Sequence, residues 1–119
     1  MIIGVGTDLI EIERVQKACV KEGFLRRCFT EKEQAIIAKR SKSAAGNFAV
    51  KEAVSKVLGT GVRNFNLTDI EVLRDDLGKP YVVLHNGAKE LAQKLGIKNI
   101  HVSISDTDDM AMAFAVGED

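Results

Sequence analysis

Tryptophan is absent from the sequence, and tyrosine and proline occur once each. With a single proline and no repeated or low-complexity tract, nothing marks a linker, a repeat array or a boundary. Residues 1–119 are therefore expected to form one domain, long enough to bury a core. The cysteines are two, Cys19 and Cys28, without a CxxC or Cys/His spacing. That excludes a recognisable zinc site and leaves idle or buried thiols, as in a cytoplasmic protein. No long hydrophobic run is present, because Asp8 interrupts the apolar N-terminus. Neither a signal peptide nor a membrane span is expected there. Gly4 and Gly6 lack the third glycine of a dinucleotide-binding GxGxxG turn. The acidic stretch Asp106 to Asp109 lacks the glycine and distal glutamate of a calcium-binding EF-hand loop.

Net charge is zero but unevenly spread. Residues 14–42 hold nine Lys/Arg against three Glu, whereas residues 66–119 hold ten Asp/Glu against five Lys/Arg. A basic flank on a neutral protein steers an anionic partner toward that flank. Nucleic acid is a poor candidate, since the basic segment has few aromatics for base stacking and no reading motif.

Residues 1–10, "MIIGVGTDLI", read as an opening strand. Alternation places Ile3, Val5 and Thr7 on one face and Ile2, Gly4, Gly6 and Asp8 on the other. The second face is bare for two positions before Asp8, which permits close approach by a helix or a ligand. A helix is expected over residues 11–22, with Ile12, Val15 and Cys19 inward and Arg14, Lys17 and Lys21 outward. "TEKE" from Thr30 to Glu33 is a capping box that starts a second helix. A third helix covers "FAVKEAVSKVLGTG", residues 48–61, with Gly59 as its left-handed cap and Gly61 keeping the exit flexible. Two hairpins follow, around Asp75–Pro80 and Asp106–Asp109, with a helix ended by Gly96 between them. The order β-α-α-α-β-β-α-β-β implies an α+β fold with a mainly antiparallel sheet. His85 and His101 read as surface or strand residues, and Met110 and Met112 as sheet packing.

On a helical wheel, Ala49, Val50, Ala53, Val54, Val57 and Leu58 share one half of the third helix, and Lys51, Glu52, Ser55 and Lys56 take the other. Two readings stand. Glu52 and Lys56 are one turn apart in the order that suits a surface ion pair. Glu52 and Asp8 are also the pair of carboxylates that Mg²⁺ needs on a nucleotide substrate, with Lys56 meeting a phosphate.

The chain as a whole resembles the holo-[acyl-carrier-protein] synthases, the short class of 4′-phosphopantetheinyl transferases. The likeness rests on "GVGTDLIEIERV", "FTEKE", "FAVKEAVSKVLGTG", "DLGKPYVVL" and "HVSISDT". It implies that Asp8 and Glu52 hold Mg²⁺ on the pyrophosphate of coenzyme A, with Lys56 on the same phosphate group. It further implies that Ser55, Gly59, Pro80 and Thr107 lie along coenzyme A, and that Arg14, Lys17 and Lys21 dock an acidic acyl carrier protein. Members of this family form homotrimers with sites between subunits, so the "SISDT" hairpin is expected to complete a neighbour's site. The implied reaction is attack by a carrier-protein serine on the β-phosphorus of coenzyme A, in fatty acid biosynthesis. The destination of the serine's proton stays open between Glu52 and a metal-bound water.

Two positions depart from the resembled pattern. Asn47 stands where the family has arginine, and Asp106 where it has histidine. Both remove positive charge near the expected phosphates, with Lys42 or Arg63 as conceivable compensation. These departures keep two other classes open: a non-catalytic coenzyme A or carrier-protein binding module, and a Mg²⁺-dependent nucleotide hydrolase.

Overall fold

Residues 1–59 and 65–119 are described by the computed structural model, so Gly61 and Arg63 lie outside the described residues. The chain opens with β1 (Ile2–Glu11), then α1 (Ile12–Cys19), α2 (Glu22–Cys28), α3 (Glu31–Lys39) and α4 (Ser43–Val57). A 3-10 turn, Leu67–Asp69, leads into β2 (Ile70–Arg74) and β3 (Pro80–Leu84). The chain closes with α5 (Asn86–Leu95), β4 (Asn99–Asp106) and β5 (Met110–Glu118). This is the expected α+β order with one helix added. The helix expected over 11–22 stops at Cys19, and extended backbone at Lys21 separates it from α2. Continued at helical spacing, its inward positions would have been Glu22, Gly23 and Arg26. The break instead turns Phe24, Leu25 and Cys28 onto the core beside Ile12 and Val15.

The strands form two antiparallel sheets, one ordered β1-β5-β4 and one pairing β2 with β3. Alternation on β1 turns Gly4, Gly6 and Asp8 toward α4, while β5 offers Ala111, Ala113, Ala115 and Gly117 on the same face. These small residues let α4 lie directly on the sheet. A Cβ on Gly6 would sit 1.9 Å from the carbonyl oxygen of Ala53, and one on Gly4 2.8 Å from that of Val57. The opposite face of the sheet leaves Val5, Leu9 and Phe114 exposed by 55%, 66% and 41%.

The capping box forms as expected: Thr30 Oγ1 accepts from Glu33 N–H, and Glu33 Oε1 from Thr30 N–H. Gly59 and Gly96 take left-handed backbone, at φ of +80° and +77°. In the second hairpin, Thr107 Oγ1 accepts from Met110 N–H at 3.0 Å, and Asp109 O accepts from Ile12 N–H at 2.9 Å. The hairpin tip is thereby tied to the first turn of α1.

One expectation is overturned. Lys51 and Ser55 do not lie on a solvent-facing half of α4; they are 0% and 1% exposed. The sheet covers one side of α4, and α3 with β2 covers the side where Lys51 projects. Lys51 Nζ donates to Glu33 Oε1 at 2.7 Å, to Leu67 O at 2.9 Å and to Ile70 O, so all three of its donors are used. Burial pushes the Glu33 carboxyl up and the Lys51 ammonium down, and each is opposed by the other's charge. Among the described residues no helix is long and apolar enough to cross a membrane.

Candidate functional site

The same glycines that seat α4 on β1 bring the two carboxylates together. Asp8 is the first residue with a side chain on that face after Gly4 and Gly6. It emerges where Glu52 and Lys56 leave the contact, and Asp8 and Glu52 line one cavity of ≈ 470 Å³. Lys56 Nζ donates to Thr7 O at 2.7 Å and lies 4.0 Å from Asp8 Oδ1. With one of its three donors on the backbone, the ammonium keeps two for a ligand.

Both carboxylates ionise with difficulty. Burial pushes the Asp8 carboxyl above its ordinary range, against the pull of Lys56 and of the Leu9 N–H. Burial and the nearby Asp8 raise Glu52, and Lys56 opposes them. Two such groups beside one partly engaged lysine favour added positive charge. Among the described residues no cluster of three or more His, Cys, Asp or Glu is present. A pair of hard oxygen donors does not make a protein cage, but it fits Mg²⁺ that takes its remaining ligands from phosphate and water.

The cavity's other walls are apolar, from Phe24, Phe48 and Val15, and Arg14 stands among them. Lys17 lies 3.0 Å from Glu13, and Lys21 is exposed at the start of α2. Ser55 is not brought to this cavity; its hydroxyl donates to Lys51 O at 2.7 Å, within the helix. Gly59 lies one turn beyond Ser55, at the end of α4.

Pro80 and Asp106 line a second hollow, of ≈ 170 Å³, together with Arg40, Lys42, Ser43 and Arg74. Thr107 and Asp106 border a third, with Leu9 and Met112 on the outer face of the sheet. No residue is shared between the cavity of Asp8 and Glu52 and the hollow of Pro80. Asn47 faces neither, being 0% exposed and fully bonded inside. Lys42, one of the two compensating residues considered from the sequence, does line the second hollow. Arg40 and Arg74 were missed, because neither sits in a patterned motif; Arg74 is brought there by contact between β2 and α4, and Arg40 comes from the end of α3. His85 and His101 face Glu71 and Glu118, at 3.1 and 2.7 Å.

The comparisons with known proteins agree with this architecture. The family model described as "4'-phosphopantetheinyl transferase superfamily" matches residues 4–115. A holo-[acyl-carrier-protein] synthase of Lachnoclostridium phytofermentans is 51% identical over 118 residues, covering 99% of this chain and 97% of the relative. Among solved structures, the holo-[acyl-carrier-protein] synthase of Neisseria meningitidis superposes with a TM-score of 0.88 at 30% identity, covering 100% of both chains. The Helicobacter pylori enzyme, solved in complex with coenzyme A, gives 0.84 at 32% identity, covering 96% of this chain and 99% of its own. The paired carboxylates at the end of a glycine-bare strand thus lie in a chain that belongs to the 4′-phosphopantetheinyl transferase superfamily, among the holo-[acyl-carrier-protein] synthases.

Proposed function

We propose that the protein transfers 4′-phosphopantetheine from coenzyme A to a serine of apo acyl carrier protein in the cytoplasm, for fatty acid biosynthesis. One observation carries the reading: Asp8 and Glu52 line one cavity, with the Lys56 ammonium 4.0 Å from Asp8, in a chain of this family. The Helicobacter pylori relative's complex with coenzyme A supports the choice of donor.

Asp8 and Glu52 are the residues that would hold Mg²⁺, one carboxylate each. The bound ion supplies neutralisation of the diphosphate charge and polarisation of its phosphoryl oxygens. Lys56, anchored through Thr7 O, directs its remaining donors to the same diphosphate and holds it in line with the incoming hydroxyl. The serine oxygen forms a bond to the β-phosphorus as the bond to the adenosine side breaks, releasing adenosine 3′,5′-bisphosphate. Glu52, which lines the same cavity as Asp8, is the side chain that would accept the serine's proton. Phe24 and Phe48 receive apolar side chains of the carrier protein while Arg14, Lys17 and Lys21 meet its acidic face.

An assembly of three copies, as the family likeness implies, would bring residues of the separate hollows together. Pro80, Asp106 and Thr107 would then meet coenzyme A bound at a neighbour's Asp8 and Glu52. The exposed Val5, Leu9 and Phe114 face supplies the apolar contact. Analytical ultracentrifugation reads the trimer directly.

The function is tested by incubating the protein with coenzyme A, Mg²⁺ and apo acyl carrier protein, and recording intact masses. The carrier gains one phosphopantetheine if the reading holds. Coenzyme A bound without mass transfer would make the protein a binding module, and coenzyme A cleaved without an acceptor would make it a hydrolase.

A further inference from the structure

The second hollow gathers three cations, Arg40, Lys42 and Arg74, against one carboxylate, Asp106. Arg74 reaches it by an unusual route. Asn47, buried on α4, donates from Nδ2 to Glu33 Oε2 and to Val72 O, both at 3.0 Å. Those two bonds fix which way the amide points, and its Oδ1 accepts from Arg74 Nη2 at 2.7 Å. A Cβ on Gly46 would lie 3.9 Å from that same nitrogen, so the guanidinium sits over the first turn of α4. Among the described residues no carboxylate lies within ion-pair distance of Arg74. Burial opposes its charge, the more distant Glu33 supports it, and Arg40 adds repulsion. A guanidinium aimed by a buried amide, with one further donor on Leu73 O at 3.3 Å, no carboxylate partner among the described residues and two cations beside it, is arranged to receive a dianion.

We propose that Arg74 is the residue that recognises the 3′-phosphate of coenzyme A in this chain, with Asn47 as its positioning residue. The inference rests on the transferase reading, and it extends that reading to a choice among substrates. Coenzyme A carries two anionic groups, the diphosphate bridge and the 3′-monoester. The diphosphate belongs with Asp8, Glu52 and Lys56, which leaves the dianionic monoester for a hollow of net positive charge. The arginine that the family pattern places at position 47 is thereby replaced by a different arginine, brought in from β2. Asn47 is not a loss of charge; it is the group that aims the substitute.

The test is calorimetric binding, with Mg²⁺, of coenzyme A and of dephospho-coenzyme A, which lacks only the 3′-phosphate. Wild-type protein is expected to prefer coenzyme A. Arg74→Gln should weaken coenzyme A binding about ten- to hundredfold, the usual cost of a lost hydrogen bond to a charged group. The same variant should leave dephospho-coenzyme A binding unchanged. Arg74→Lys should recover part of the loss. Asn47→Arg combined with Arg74→Asn, which returns the guanidinium to α4, should recover more of it than Arg74→Asn alone. Equal weakening of both ligands by Arg74→Gln, or no weakening of either, overturns the proposal while the transferase reading stands. Failure of wild-type protein to bind coenzyme A overturns the transferase reading itself, and the proposal with it.

Discussion

Replacing Gly6 by alanine would place a methyl carbon 1.9 Å from Ala53 O, 2.9 Å from Ala53 C and 3.0 Å from Lys56 Cβ. Two of these three neighbours are main chain, so no side-chain rotation relieves the clash. Ordinary contact requires β1 and α4 to part by more than 1 Å along that line. Overpacking of this kind costs about 1–3 kcal/mol, and a backbone obstruction belongs at the upper end. For a domain of this size, about 3 kcal/mol corresponds to a Tm lowered by roughly 10 °C. The chemical cost is separate. Asp8 is two residues along the same strand, and Lys56 belongs to the displaced segment of helix. A misplacement of about 1 Å between reacting groups reduces rate about a hundredfold. Thermal unfolding and steady-state transfer to apo carrier protein, each measured across a Mg²⁺ titration, give both quantities. Gly4→Ala serves as a graded comparison, because its nearest obstruction is 2.8 Å away, at Val57 O. Gly6→Ala should exceed Gly4→Ala in both effects. A Gly6→Ala protein with Tm within about 2 °C of wild type and kcat within about threefold would refute the claim that this contact sets the site.

Asp8→Asn and Glu52→Gln should each abolish transfer without unfolding the protein; near-normal turnover at saturating Mg²⁺ rules out the metal assignment. Both carboxyls are raised in the folded chain, so their favourable contribution to stability is present below the ordinary carboxylate pKa and lost as pH rises through the folded values. Mg²⁺ should therefore raise Tm at pH 7 and progressively less as pH falls toward about 4, and Asp8→Asn without Mg²⁺ should melt no lower than wild type at pH 7. Lys51→Met leaves Glu33 buried without its cation and should cost about 3–5 kcal/mol in denaturant unfolding, far more than an exposed lysine would. Arg14→Glu with Lys21→Glu should raise KM for the carrier protein but not for coenzyme A; a wild-type KM insensitive to added salt argues against this docking face.

Much of the site was legible because it follows local periodicities. Alternation with period two placed Gly4, Gly6 and Asp8 on one face of β1, and helical spacing placed Glu52 one turn before Lys56. The capping box at Thr30 and the left-handed Gly59 are equally local. What escaped depends on contacts distant in sequence. A helical wheel assigns one face to the core, yet α4 is covered from two sides, so Lys51 and Ser55 read as polar surface and are interior. Asn47 read as a missing charge because its partner, Arg74, is 27 positions away. The break after Cys19 escaped because Val20, at 86% exposure, continues an apolar pattern that the core does not use.

The bond from Ile12 N–H to Asp109 O is main chain at both ends. Short of proline at position 12, which has no N–H to donate, side-chain replacement leaves it intact, so the acidic tip can change its sequence and keep this tie to α1. The helix that bears Arg14 and the hairpin that bears Asp106 and Thr107 consequently keep a fixed relative placement through sequence drift. Point changes on the outer faces of the helix and of the hairpin can thus be made independently, without rebuilding the scaffold between them.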